Sequence, residues 1–116
     1  MAVYSSNLVI KTGTTFEQVF TLEDGVSNSP INLTGFGVSA QMRKHAGAQG
    51  PLGITTFTTS LYDAVGGKIQ IGLSTTQTAA LKPGRHVYDV ITTNTTGVME
   101  CVVEGMVLVS QAVTRT

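Results

Sequence analysis

The residues from Ser74 to the C-terminus constrain this chain more than any others, because their local signals agree on one short helix feeding a terminal hairpin. Ser74-Thr75-Thr76-Gln77 is a capping box: the Ser hydroxyl and the Gln amide three residues on can satisfy orphan N–H groups at a helix start. Lys82-Pro83-Gly84 ends the helix within about two turns, since a proline pushes the residue before it out of the α region. Residues 85–92 then read as a strand, Asn94-Thr95-Thr96-Gly97 as a polar turn, and 98–109 as a long β-rich run. A helical turn feeding a hairpin is one way for a small sandwich to cross between its sheets. The expectation is an all-β antiparallel sandwich with its helix just before the C-terminal hairpin.

The rest of the chain agrees. Residues 7–11 and 15–22 read as strands, the second with Phe16, Phe20 and Leu22 on one face and Glu17, Val19 and Thr21 on the other. Residues 23–30 carry turn chemistry throughout, and 31–35 has room for a brief extended piece or one turn. Residues 36–43 alternate, with Phe36, Val38, Ala40 and Met42 on one side. Residues 44–53, rich in Gly and Ala, read as a long exposed loop. Residues 54–62 read as one strand that turns at 63–67 and returns over 68–73 as a hairpin. The sum is about seven strands at roughly 8–12-residue spacing, which is the rhythm of a sandwich.

At 116 residues the chain is long enough for one domain, 1–116, with a real core. Charged residues make up 12%, about half the usual share, and threonine covers much of the polar surface. Such a surface suits a protein in contact with copies of itself or with partners. Seven basic and seven acidic residues cancel, so there is no global field to hold a phosphate backbone, and nucleic acid is not expected as a partner. No apolar run is long enough for a membrane helix, and 1–6 lacks the basic and apolar regions of a signal peptide. Cys101 is the single cysteine and reads as a small buried side chain.

Catalytic and metal-ligating patterns are absent from the sequence, and no cofactor is expected. His86 and Asp89, three apart on a strand, point to opposite faces, and His45 has no ligand at metal-binding spacing. Glu100 and Glu104 share parity and so are expected on one face of the last strand, a solvated one. Asn32-Leu33-Thr34 and Asn94-Thr95-Thr96 match the glycosylation acceptor pattern, incidentally in a chain without a leader. The terminal stretches, about 1–6 and 110–116, read as polar arms with strand-compatible Val3, Tyr4 and Val113, suited to lying along a neighbour's sheet edge.

The order of short motifs resembles small phage virion proteins of tailed phages, including cyanophages, and the immunoglobulin-like N-terminal domain of phage upper-baseplate proteins. The resemblance rests on Gly13-Thr14-Thr15-Phe16-Glu17-Gln18-Val19-Phe20, on Pro30-Ile31-Asn32-Leu33-Thr34-Gly35-Phe36, and on Ala40-Gln41-Met42-Arg43. It continues through Gly67-Lys68-Ile69-Gln70-Ile71, Thr76-Gln77-Thr78-Ala79-Ala80-Leu81 and Gly84-Arg85-His86-Val87-Tyr88-Asp89-Val90, and ends at Val103-Glu104-Gly105-Met106-Val107-Leu108-Val109. It implies an Ig-like fold and a non-enzymatic structural subunit of the virion, bound to other virion proteins and to copies of itself in a symmetric homo-oligomer. The baseplate proteins continue into a helical or fibre-forming region, whereas this sequence stops at Thr116, so a free-standing module of capsid, neck or tail is expected. Its expected interface combines the arms, through Val3, Tyr4, Val113 and Arg115, with Arg43, Lys44, His45 and Gln49 at the 44–53 loop. The alternative is a host-surface or carbohydrate-binding module, whose signature would be an exposed aromatic platform built from Tyr4, Tyr62 or Tyr88.

Overall fold

A computed structural model describes residues 4–23, 31–44 and 54–113. Its strands are β1 (Tyr4–Ser5), β2 (Leu8–Lys11), β3 (Phe16–Thr21), β4 (Gly37–Arg43), β5 (Ile54–Thr56), β6 (Thr58–Asp63), β7 (Lys68–Leu73), β8 (Gly84–Thr93) and β9 (Met99–Ser110), with α1 (Thr75–Ala79) between β7 and β8. They form a six-stranded sheet in the order β1-β9-β8-β4-β5, with β2 also on β9, and a three-stranded sheet β3-β7-β6. The chain is an all-β sandwich, as its sequence predicts.

The helix forms as its sequence dictates. Gln77 N–H donates to Ser74 Oγ at 3.2 Å, and Ser74 N–H donates back to Gln77 Oε1 at 2.9 Å. Because α1 is too short to be stable alone, it is tied down by Thr78. This fully buried hydroxyl donates to Thr14 O at 2.8 Å, in the turn between β2 and β3. The polypeptide thus crosses from the small sheet to the large one over a pinned helical turn.

Between the sheets, Ile69, Ile71 and Leu73 of β7 meet Leu8, Ile10, Met42, Val90, Val103 and Val107 of the large sheet, all 5% exposed or less. Each such side chain stabilises the fold by about 1.5–3 kcal/mol. Leu22 and Leu33, both fully buried, belong to the same core from outside the strands. Phe57 sits at the centre of its aromatic contacts, tilted against Phe16 at 6.1 Å and edge-on to Tyr88 at 6.3 Å.

Four details depart from the sequence reading. The strand expected over 54–62 is broken at Phe57: β5 pairs with β4 in the large sheet and β6 with β7 in the small one. Phe57 N–H still donates to Ala40 O at 3.0 Å while its ring turns into the core, so this residue is the corner at which the strand changes sheets. Residues 4–5 of the expected N-terminal arm form a strand on the chain's own β9, Tyr4 opposite Val103 and Ser5 opposite Glu104. These two changes raise the strand number from about seven to nine among the described residues. Finally, β1 and β2 run parallel to β9, so the large sheet is mixed rather than purely antiparallel.

Candidate interaction surface

A bulge in β9 decides what the outer face of the large sheet presents. Val90 pairs with Val103 but Ile91 pairs with Cys101, so Val102 is the extra residue, and both Val102 and Val103 are fully buried. Side chains beyond the bulge therefore change sides. Glu104 stands opposite exposed Asp89 on the outer face, whereas Glu100 stands opposite buried Thr92. The shared face expected for Glu100 and Glu104 does not exist, because simple alternation fails across an inserted residue. For the same reason Cys101 is not a core residue. It is half-buried on the outer side, its thiol donating to Val103 O at 3.6 Å. Burial raises its pKa above the ordinary thiol value, and the Asp89 and Glu104 charges push it the same way.

The outer face carries a stripe of exposed apolar side chains. Val9 (64% exposed), Leu108 (51%), Met106 (40%) and Met99 (65%) lie on β2 and β9. Val9 pairs with Leu108, and Met106 with half-buried Val87. Beside this stripe lies a shallow hollow of about 620 Å³, lined by Gln41, Arg43, Val87, Asp89, Ile91 and Glu104 among others. Its polar groups come from three neighbouring strands: Gln41 is opposite Asp89, and Asp89 is opposite Glu104. The Arg43 guanidinium donates to Gln41 Oε1 at 3.1 Å.

Beneath the hollow the N-terminal strand bends inward. Tyr88 O–H donates to Ser6 O at 2.6 Å, and Asn7 Oδ1 accepts from Met106 N–H at 3.1 Å, so a side chain replaces a backbone partner where β1 gives way to β2. Gly105 makes room for this. A Cβ there would run into Ser6 O, and no other residue fits without displacing the strand. Burial raises the Tyr88 phenol pKa above its ordinary value, with the Ser6 bond pulling against that shift.

Of the residues expected at an interface, Arg43 lines the hollow, and Lys44 is exposed next to it with Nζ donating to Arg85 O at 3.2 Å. Val113 is 95% exposed beyond the end of β9. It stands apart from Arg43, since β9 and β8 separate β2 from β4 and Ala112 N–H donates to Thr12 Oγ1, just past β2. Tyr4 enters the sheet through its backbone, and Val3, His45, Gln49 and Arg115 lie outside the described residues. Sequence reasoning missed Val9, Met106, Leu108 and Asp89. A signal was present: the unbroken run Met106-Val107-Leu108-Val109 has apolar residues at both parities, which gives a strand two apolar faces.

Two motifs have a structural use. Asn32 Oδ1 accepts from Thr34 N–H (3.0 Å) and Thr34 Oγ1 (2.6 Å), and Asn94 Oδ1 does the same for Thr96 (2.9 and 2.8 Å). Both Asn-x-Thr sequences are thus side-chain-closed turns. Among the described residues, no three His, Cys, Asp or Glu side chains converge as metal ligands would. The chain matches no protein-family model and no curated protein sequence.

Proposed function

We propose that this chain is a non-enzymatic structural subunit of a phage virion, which binds other virion proteins and stabilises or connects the particle. The observation that carries the reading is the apolar outer face of the large sheet. Val9, Leu108 and Met106 are neighbours on β2 and β9 and stay 40–64% exposed, with Met99 (65%) farther along β9 beyond the bulge. Contiguous exposed apolar side chains on a rigid sheet are the ordinary signature of a protein interface. The motif resemblance supplies the particle, and the low charge of the sequence suits a subunit surrounded by protein. A subunit of this kind adds stability by mass action, because it binds the assembled lattice and not its loose parts.

The carbohydrate-binding alternative is the weaker reading. Tyr88 is 4% exposed with its hydroxyl committed to Ser6, Tyr62 is exposed on β6 of the small sheet, and no aromatic side chain of β2, β4, β5, β8 or β9 lies on the large sheet's outer face. Mass spectrometry and electron microscopy of purified particles test the proposal. Ordered, stoichiometric copies at symmetric positions are the expected result. A protein made in infected cells but absent from every particle would overturn it.

A further inference from the structure

The charges on the apolar face are laid out to fit a second copy of the same face. On β8, Arg85, Val87 and Asp89 share the outer side, so Val87 has a cation on one side of it along the strand and a carboxylate on the other. Arg43 stands next to Val87 on β4, and Glu104 next to Asp89 on β9. Arg43 and Arg85 make a basic pole, and Asp89 and Glu104 an acidic pole one step along the sheet. Apolar Val9, Leu108 and Met106 flank the basic pole.

Within one molecule this arrangement is unfavourable, because like charges directly opposite on paired strands destabilise a sheet. Asp89 and Glu104 form such a pair, and both are exposed. Their shared negative field also reaches the Cys101 thiol. A two-fold-related copy relieves the repulsion, since an isologous interface brings each patch onto its symmetry mate. With a formal net charge of zero, long-range repulsion between copies is absent as well.

We propose that two copies pack the outer faces of their six-stranded sheets together, about a two-fold axis passing near Val87. The basic pole of each copy then lies over the acidic pole of the other, and the Val9, Met106 and Leu108 stripes are covered between them. This deepens the assembly reading and rests on it.

Sedimentation equilibrium of the purified chain tests the inference, with two charge-reversed forms: Arg43→Glu with Arg85→Glu, and Asp89→Lys with Glu104→Lys. The unaltered chain is expected to dimerise. Each reversed form alone should lose at least about tenfold in dimer affinity, since several exposed ion pairs become repulsive. Mixing the two reversed forms should restore a dimer, now a heterodimer, because one face is wholly acidic and the other wholly basic. Leu108→Glu should also give a monomer, and circular dichroism checks that each variant keeps its sheet content. A monomeric unaltered chain overturns the inference, as does a dimer indifferent to the reversals or a mixture that does not pair. Finding the chain in particles while it is monomeric would sink the dimer and leave the structural role standing.

Discussion

The two sheets cover one core but show water different faces. The small sheet turns out exposed, polar Glu17, Thr21, Thr58 and Ser60, with half-buried Val19, Lys68 and Gln70 between them and one exposed aromatic, Tyr62, at the bulge near the end of β6. The large sheet turns out Val9, Met99, Met106 and Leu108 together with the charges of Arg43, Arg85, Asp89 and Glu104, three of which line its hollow. Folding makes the same demand of both: alternate residues must be apolar towards the core. What differs is therefore not required by the fold. The small sheet's outer face is mainly polar, whereas the large sheet leaves a stripe of apolar side chains exposed beside its charges.

The strongest way to break the comparison is through glycines. Gly105→Ala should destabilise the protein by about 1–3 kcal/mol, as overpacking does, because its Cβ would collide with Ser6 O and push β1 off the sheet. Gly72→Ala on the small sheet should cost less, its Cβ approaching Phe16 O only to 2.9 Å. Urea denaturation of both variants reads the difference, and equal losses would mean that the bend at Ser6 is not a fixed part of the large sheet.

Next comes the bond beneath the hollow. Burial holds the Tyr88 phenol above its ordinary pKa, so on raising the pH the unfolded chain gives up its proton first. This contribution is complete below the ordinary tyrosine value of about 10 and is lost progressively as pH rises through the folded value. Tyr88→Phe should lower stability at neutral pH by about 1 kcal/mol, the worth of one hydrogen bond, and should flatten the fall above that range. A parallel fall in both proteins would remove Tyr88 from the account.

Smaller still are the surface changes that sharpen the contrast. Leu108→Lys and Val19→Lys should each move stability by less than about 0.5 kcal/mol. Only the first should reduce binding of a hydrophobic dye and self-association. If Val19→Lys does the same, the two faces are not functionally distinct. The mildest effect concerns Cys101. Its raised pKa predicts slower reaction with a disulfide reagent at pH 8 than in the urea-unfolded chain, and Asp89→Asn should speed it up.

Local chemistry was legible in the sequence, and long-range chemistry was not. The capping box, the stop at Pro83, the β6–β7 hairpin and the alternation of β4 each depend on residues close together, and each is present as read. The bulge was hidden because Val102 and Val103 are both valines, so no polar residue marked the extra position. The corner at Phe57 was hidden because threonines on either side suit a straight strand as well as a bent one. Pairing of Tyr4–Ser5 with β9 depends on residues at the far end of the sequence, with nothing local to announce it. The candidate surface inherited these gaps. Arg43 was found from its cluster of basic neighbours, but Asp89 and Glu104 join it only when β4, β8 and β9 are side by side.

The parallel seating of β2 on β9 has a consequence for how the protein is made. Asn7 and Met106, bonded in the finished sheet, are 99 residues apart. At translation rates of about 5–20 residues per second, the first strand waits roughly 5 to 20 seconds for its partner. Throughout that time Leu8 and Ile10, which end almost fully buried, have no native cover. The step that closes the large sheet, and with it the outer face, thus has to wait until β9 has been made. A nascent chain halted before β9 emerges would lack Met99, Glu104, Met106 and Leu108, one whole side of the outer face.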